Sequence, residues 1–148
     1  MNKRDLRTIL LVEDSMADAQ MAIDALREAK LANPVVHVED GVECLDWLHR
    51  RGAHAHRGES EPAVILLDIK MPRMDGLEVL QHLRADDRWK RLPVVILSSS
   101  REESDLARSW NLGVNAYVLK PVDVDQFFKA VQTLGHFWAV LNQRPDGE

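Results

Sequence analysis

The sequence predicts an α/β fold in which five short strands alternate with five helices to build a doubly wound sandwich around a parallel sheet. Two observations carry this. Apolar runs of four or five residues recur at Thr8–Val12, Val35–Val38, 63–67, 94–97 and Ala116–Leu119. Each is too short for a helix and too continuously apolar for a half-exposed strand, which is how strands covered on both faces read. The segments between them place apolar residues at helical spacing, and strict alternation of the two patterns selects a parallel sheet. In such sheets the reactive crevice lies at the carboxyl ends of the strands, near the point where strand order reverses.

Taken in order, the first strand is aliphatic and stops at Glu13-Asp14. Ser15 is available as an N-cap for a helix over 16–31, whose Ala19, Ile23, Leu26 and Ala29 or Lys30 recur about one turn apart. After the second strand, a helix over 42–50 sets Leu45 and Leu48 on one face. It contains Cys44, the lone cysteine, which reads as a small buried side chain. The stretch 52–62, GAHAHRGESEP, is polar, contains glycine and is longer than the usual connection in this class, so it reads as a mobile surface loop. His49, His54 and His56 lack the cysteines or paired carboxylates that would make them a metal site. The third strand ends at Asp68, and a helix over 77–84 carries Val79, Leu80 and Leu83. The fourth ends at Ser98, before a polar helix over 102–111 with Leu106 and Trp110 as apolar anchors and Gly113 as its stop. The fifth ends at Lys120-Pro121, and the last helix, 122–142, is the longest.

Composition narrows the function. A chain of 148 residues fits one domain, 1–148, and 45% apolar content supplies a core without any run able to cross a membrane. The N-terminus lacks the apolar stretch of a signal peptide, so a cytoplasmic protein without a membrane partner is expected. A net charge of −5 weighs against nucleic acid as a partner, since phosphate contacts need a concentrated basic surface. The clusters His49-Arg50-Arg51 and Trp89-Lys90-Arg91 are short and read as solvated faces. One cysteine excludes an intramolecular disulfide and a Cys-rich zinc centre.

The strand ends carry the chemistry. If the first and third strands are neighbours, Glu13, Asp14 and Asp68 converge, and carboxylates that close repel unless a cation neutralises them. Hard oxygen ligands select Mg²⁺ or Mn²⁺, and Mg²⁺ keeps waters that phosphate oxygens can replace. Ser98 offers a hydroxyl, with Ser99 and Ser100 as small neighbours. Lys120 offers a fixed positive charge, and the proline after it permits a cis peptide. Four of five strand ends thus hold complementary parts of one phosphoryl site.

These residues, with the segment Met71-Pro72-Arg73-Met74-Asp75-Gly76, make the chain resemble the CheY-like receiver domains of bacterial response regulators over roughly residues 8–134. The resemblance implies a flavodoxin-like (βα)5 fold and a single-domain regulator in a two-component phosphorelay. Asp68 would accept a phosphoryl group from a sensor histidine kinase. Glu13, Asp14, Asp68 and the backbone carbonyl of Lys70 would hold Mg²⁺, for which Mn²⁺ can substitute, with Glu13 acting largely through water. Ser98 and Lys120 would hold the phosphoryl oxygens. Ser98 and Tyr117 would form the switch that alters the face made by the fourth helix, fifth strand and fifth helix. Lys70 and Ser100 occupy positions that would tune the lifetime of the phosphorylated state.

The last helix repeats Phe127, Val131, Leu134, Trp138 and Leu141 as one apolar stripe, while Phe137 and Val140 fall off it and Phe128 lies on its flank. This tail and the DSMADA opening of the first helix resemble the stand-alone regulators paired with bacterial phytochrome kinases. That resemblance implies a homodimer with Phe128, Phe137 and Val140 near the contact, and a bacteriophytochrome as the kinase. With no output domain expected after residue 142, the output would be binding or onward phosphate transfer as a relay shuttle. Met16, Ala17 and Met21 either present an adaptable surface to the kinase or belong to the core. A Mg²⁺-dependent phosphohydrolase would need a second carboxylate two residues after Asp68, where Lys70 stands. A flavodoxin-type binder would want a phosphate-cradling loop in place of Glu13-Asp14-Ser15.

Overall fold

The computed structural model describes residues 6–132. Its elements run β1 (Thr8–Val12), α1 (Met16–Glu28), β2 (Val35–Val38), α2 (Gly41–His49), β3 (Pro62–Asp68), α3 (Gly76–Ala85), β4 (Val94–Ser98), α4 (Arg101–Ser109), β5 (Ala116–Leu119) and α5 (Val124–Gln132). All five strands are parallel, in the order β2-β1-β3-β4-β5, so the order reverses between β1 and β3. The strand periods place alternate residues of β1 on opposite faces. Ile9 and Leu11 join a core with α1 and α5, whereas Leu10 and Val12 join another with α2 and α3. Both faces of β1, β3 and β4 are buried, which is why their runs are uninterrupted by polar residues.

Side chains fix where each helix starts. Ser15, Asp40, Asp75 and Ser100 each accept a hydrogen bond from the backbone N–H three residues on, at the N-termini of α1, α2, α3 and α4. At α3 the pairing is reciprocal, because Glu78 also accepts from the Asp75 N–H. The turn into α3 is tight. A Cβ on Gly76 would lie 2.2 Å from the Asp68 carbonyl oxygen, so only glycine lets the helix start against the end of β3.

Two expectations are corrected. The 52–62 stretch is not a free loop: it opens with a 3-10 turn (Gly52–His54), and Arg57 folds back with its side chain only 2% exposed. The Arg57 guanidinium sits 3.6 Å above the Trp47 ring and its Nε donates to the Trp47 carbonyl at 2.7 Å. Burying an arginine stem on an indole gives the segment an anchor that its polar composition conceals. His54 pairs with Glu43 at 3.0 Å and His49 lies 3.8 Å from Asp86, so the histidines do not meet. On α4 the buried residues are Glu103 and Ala107; Leu106 and Trp110 are exposed, because the helix turns its small side chain to the core. Cys44 is buried, and Phe127 packs in the core as expected, with Phe128 half-buried beside it. Phe137 and Val140 lie outside the described residues.

Candidate functional site

The register brings the strand ends together. Val12 pairs with Leu67, Asp68 with Leu97 and Ser98 with Leu119, so Glu13, Asp68, Ser98 and Lys120 follow one another across the carboxyl edge of the sheet. Glu13, Asp14 and Asp68 each place a carboxylate oxygen within 4.8 Å of the others. Glu13 and Asp68 are buried while Asp14 is exposed, so the cluster opens to water on one side only. An all-oxygen set with a water-accessible side fits a hard divalent cation that keeps part of its hydration shell.

Lys120 is the counter-charge. Its Nζ lies 2.6 Å from Glu13 Oε1 and 3.0 Å from Asp68 Oδ1, with a third contact of 3.3 Å to Asp18 Oδ2. The Lys120 N–H donates to the Ser98 carbonyl at 2.8 Å, and the Lys120-Pro121 peptide is cis. Glu13 is further held by the Ser15 N–H on its other oxygen at 3.1 Å. Burial, with the neighbouring Glu13 charge against it and Lys120 opposing, pushes the Asp68 carboxyl up from 3.8 to about 7. The two carboxylates hold the Lys120 ammonium above its ordinary value despite its burial. Burial beside Glu13 thus makes the Asp68 carboxylate a place where added positive charge is favourable.

Around this centre the loops are tied down. Arg73, at φ 64°, makes a two-pronged pair with Asp40 (2.9 and 3.1 Å), and the Gly41 N–H donates to the Met74 carbonyl. The loop after β3, which includes Lys70, is thereby strapped to the start of α2. Lys70 itself is exposed, and its Nζ lies 3.5 Å from Glu103 Oε2. Ser98 is fully buried, with its hydroxyl 2.6 Å from that of Ser104. Tyr117, on the edge strand β5, is half-buried under the Arg108 guanidinium, 3.9 Å from the ring centre. Sequence reasoning missed Asp18, Ser104 and Arg108. The signal for Asp18 was its place three residues after the Ser15 cap, at the same end of the sheet.

The family model described as the response regulator receiver domain matches residues 9–132. The chain belongs to the response regulator receiver domain family. Response regulator Rcp1 of Synechocystis sp. is 35% identical over 132 residues, 89% of this chain and 88% of that protein. The Mn²⁺-bound form of Rcp1 matches with a TM-score of 0.71, covering 89% of this chain and 94% of that one. Two bacteriophytochrome response regulators are more similar still. RtBRR is 52% identical with a TM-score of 0.87 (96% and 86% of the two chains), and AtBRR is 54% identical at 0.86 (94% and 99%). This receiver domain therefore shares the CheY-like, flavodoxin-like (βα)5 architecture expected of it. Among its described residues, no helix is long and apolar enough to cross a membrane.

Proposed function

We propose that this receiver domain takes a phosphoryl group onto Asp68 from a sensor histidine kinase of the bacteriophytochrome type. Mg²⁺ would be held by Asp14, Asp68 and the Lys70 carbonyl, with Glu13 beside them. The observation that carries the reading is the convergence of Glu13, Asp14 and Asp68 on a shared lysine at the point where strand order reverses. An Asp68 carboxylate oxygen attacks the phosphorus of a phosphohistidine. The P–N bond breaks, its electron pair returns to the imidazole, and an acyl phosphate forms. Bound Mg²⁺ supplies charge neutralisation for the phosphoryl oxygens, and Mn²⁺ fits the same donors. Lys120 contributes a second, permanent positive charge, and Ser98 donates a hydroxyl once it turns toward the group. Between the carboxylates, Asp68 is the acceptor because Glu13 is committed on both oxygens, to Lys120 and to the Ser15 N–H.

Phosphorylation then biases the arrangement of Ser98 and Tyr117 and so the face of α4, β5 and α5. The reacting group is the protein's own side chain, so the domain is a switch and not a turnover enzyme. The likeness to RtBRR and AtBRR supports a bacteriophytochrome kinase, and Met16 and Met21, both exposed on α1, offer it an adaptable apolar surface. A homodimer through the last helix, near Phe128, Phe137 and Val140, completes the proposal; sedimentation showing only a 16.9 kDa species at micromolar concentrations would remove it. The central test offers acetyl phosphate and Mg²⁺ to the wild type and to Asp68→Asn. The wild type should gain an acid-stable, base-labile adduct, and the same adduct on the variant would refute the assignment.

A further inference from the structure

We propose that Ser104 and Arg108, one turn apart on α4, are positioning residues that together hold both halves of the switch in the unphosphorylated arrangement. This rests on the reading of Asp68 as acceptor, with Ser98 and Tyr117 as the responding pair.

The first hold is on Ser98. Its hydroxyl oxygen lies 2.6 Å from Ser104 Oγ, and Ser104 Oγ lies 3.4 Å from the Ser100 carbonyl one turn back. A hydroxyl has one hydrogen to give. When Ser104 directs its own toward the Ser100 carbonyl, Ser98 donates to Ser104 and has nothing left for a phosphoryl oxygen. In that arrangement Ser98 must leave Ser104 before it can serve Asp68.

The second hold is on Tyr117, where the Arg108 guanidinium covers the ring at 3.9 Å. Residues 104 and 108 are separated by four positions and share a face of the helix. The start of the helix is pinned separately: Glu103 Oε1 accepts the Ser99 N–H at 2.9 Å, while Glu103 Oε2 reaches Lys70. A small rotation or tilt of α4 about that pinned start, moving Ser104 and Arg108 together, loosens both contacts at once. The site and the distant ring are thus coupled through one rigid element with two directional contacts, and no continuous chain of side chains is needed.

Each contact sets a population. A hydrogen bond of this kind shifts an equilibrium by about two- to tenfold, and a half-exposed cation–ring contact by about two- to fivefold. The test uses the fact that Tyr117 is the only tyrosine in the chain. Protein grown with 3-fluorotyrosine gives a single ¹⁹F resonance, read in chelator and then with Mg²⁺ and beryllofluoride, an analogue of the phosphoryl group. In chelator, Ser104→Ala should move the resonance toward the position that beryllofluoride produces in the wild type. It should also speed acetyl phosphate labelling by about two- to tenfold. Ser104→Thr, which keeps the hydroxyl, should restore wild-type behaviour, and Arg108→Ala should speed labelling by about two- to fivefold. Alanine is the better helix former, so the Ser104 variant is expected to fold, and Arg108→Ala tests the second hold independently. Wild-type resonance and rate in both alanine variants, or slower labelling, would overturn the paired hold while leaving the Asp68 assignment intact. Absence of labelling in the wild type would overturn both.

Discussion

Replacing Asp68 with asparagine should make the metal-free protein more stable. Asp68 is buried beside Glu13, which lifts its carboxyl from 3.8 to about 7. A folded-state value above the unfolded one means the native protein binds this proton more tightly. The associated stability is present below pH 4 and is lost as the pH rises through 7. A change of that size corresponds to roughly 4 kcal/mol against the ionised native form at pH 8. Asp14 leaves one side of the cluster open to water, and screening there reduces the expected gain to about 2 kcal/mol. For a domain of this length that is a rise in melting temperature of about 4–8 °C. Asparagine keeps the shape, and Lys120 retains Glu13 and Asp18 as partners, so no buried charge is orphaned. The assay is thermal unfolding in chelator at pH 8 and pH 5, then with excess Mg²⁺. The variant should lead at pH 8, lead by less at pH 5, and lose its lead when Mg²⁺ stabilises only the wild type. An Asp68→Asn protein that melts at or below the wild type in chelator at pH 8 would refute the reasoning.

The same proton competes with the metal, so Mg²⁺ affinity measured by calorimetry should be about tenfold weaker at pH 6 than at pH 8, with proton release on binding. Gly76→Ala should be severely destabilising, by about 3 kcal/mol or more in denaturant unfolding, because the new methyl meets backbone and not a movable side chain. Arg57→Ala should lose about 2–4 kcal/mol through the lost stack on Trp47 and the freed carbonyl of Trp47; limited proteolysis should then cut within residues 52–61 faster than in the wild type. In hydrogen exchange, amides of α4 should exchange at least tenfold faster than those of α3, and equal protection would contradict the packing described below.

β1, β3 and β4 were legible because strands covered on both faces read as unbroken apolar runs; the edge strands β2 and β5 are only partly buried, yet they too, like β1, have the bounds expected of them. Glu13, Asp68, Ser98 and Lys120 were legible for a related reason: each is the first polar group after such a run, with Asp14 directly behind Glu13, and parallel strands bring those positions to one edge. Asp18 was hidden because its partner, Lys120, lies 102 residues away and meets it only when β5 docks beside β4. Arg57 was hidden because an arginine in a polar stretch carries no sign of the indole it will cover. The choice of Leu106 and Trp110 as anchors failed for a more general reason. A short, highly charged helix has too few apolar residues to define a face, and a single alanine at the contact outweighs two larger side chains that do not fit it.

That failure bears on how the domain works. On α3, Leu77, Val79, Leu80 and Leu83 are all buried, and each contributes about 1.5–3 kcal/mol of transfer free energy. On α4 the buried apolar contribution is one alanine, and the helix is held by its Ser100 cap, by Glu103 and by the contacts at Ser104 and Arg108. Apolar burial is non-directional and yields only to large displacements, whereas hydrogen bonds and ring contacts are lost over small ones. Under the proposed phosphorylation of Asp68, the new group would face α3 and α4 at the same edge of the sheet, and α4 is the helix whose directional attachments are comparable in size to what one new hydroxyl–phosphoryl contact would supply. The exposed Leu106, Trp110 and Leu119 lie on that helix and on β5 beside it. The weakly packed helix therefore carries both the links to the crevice and exposed apolar side chains.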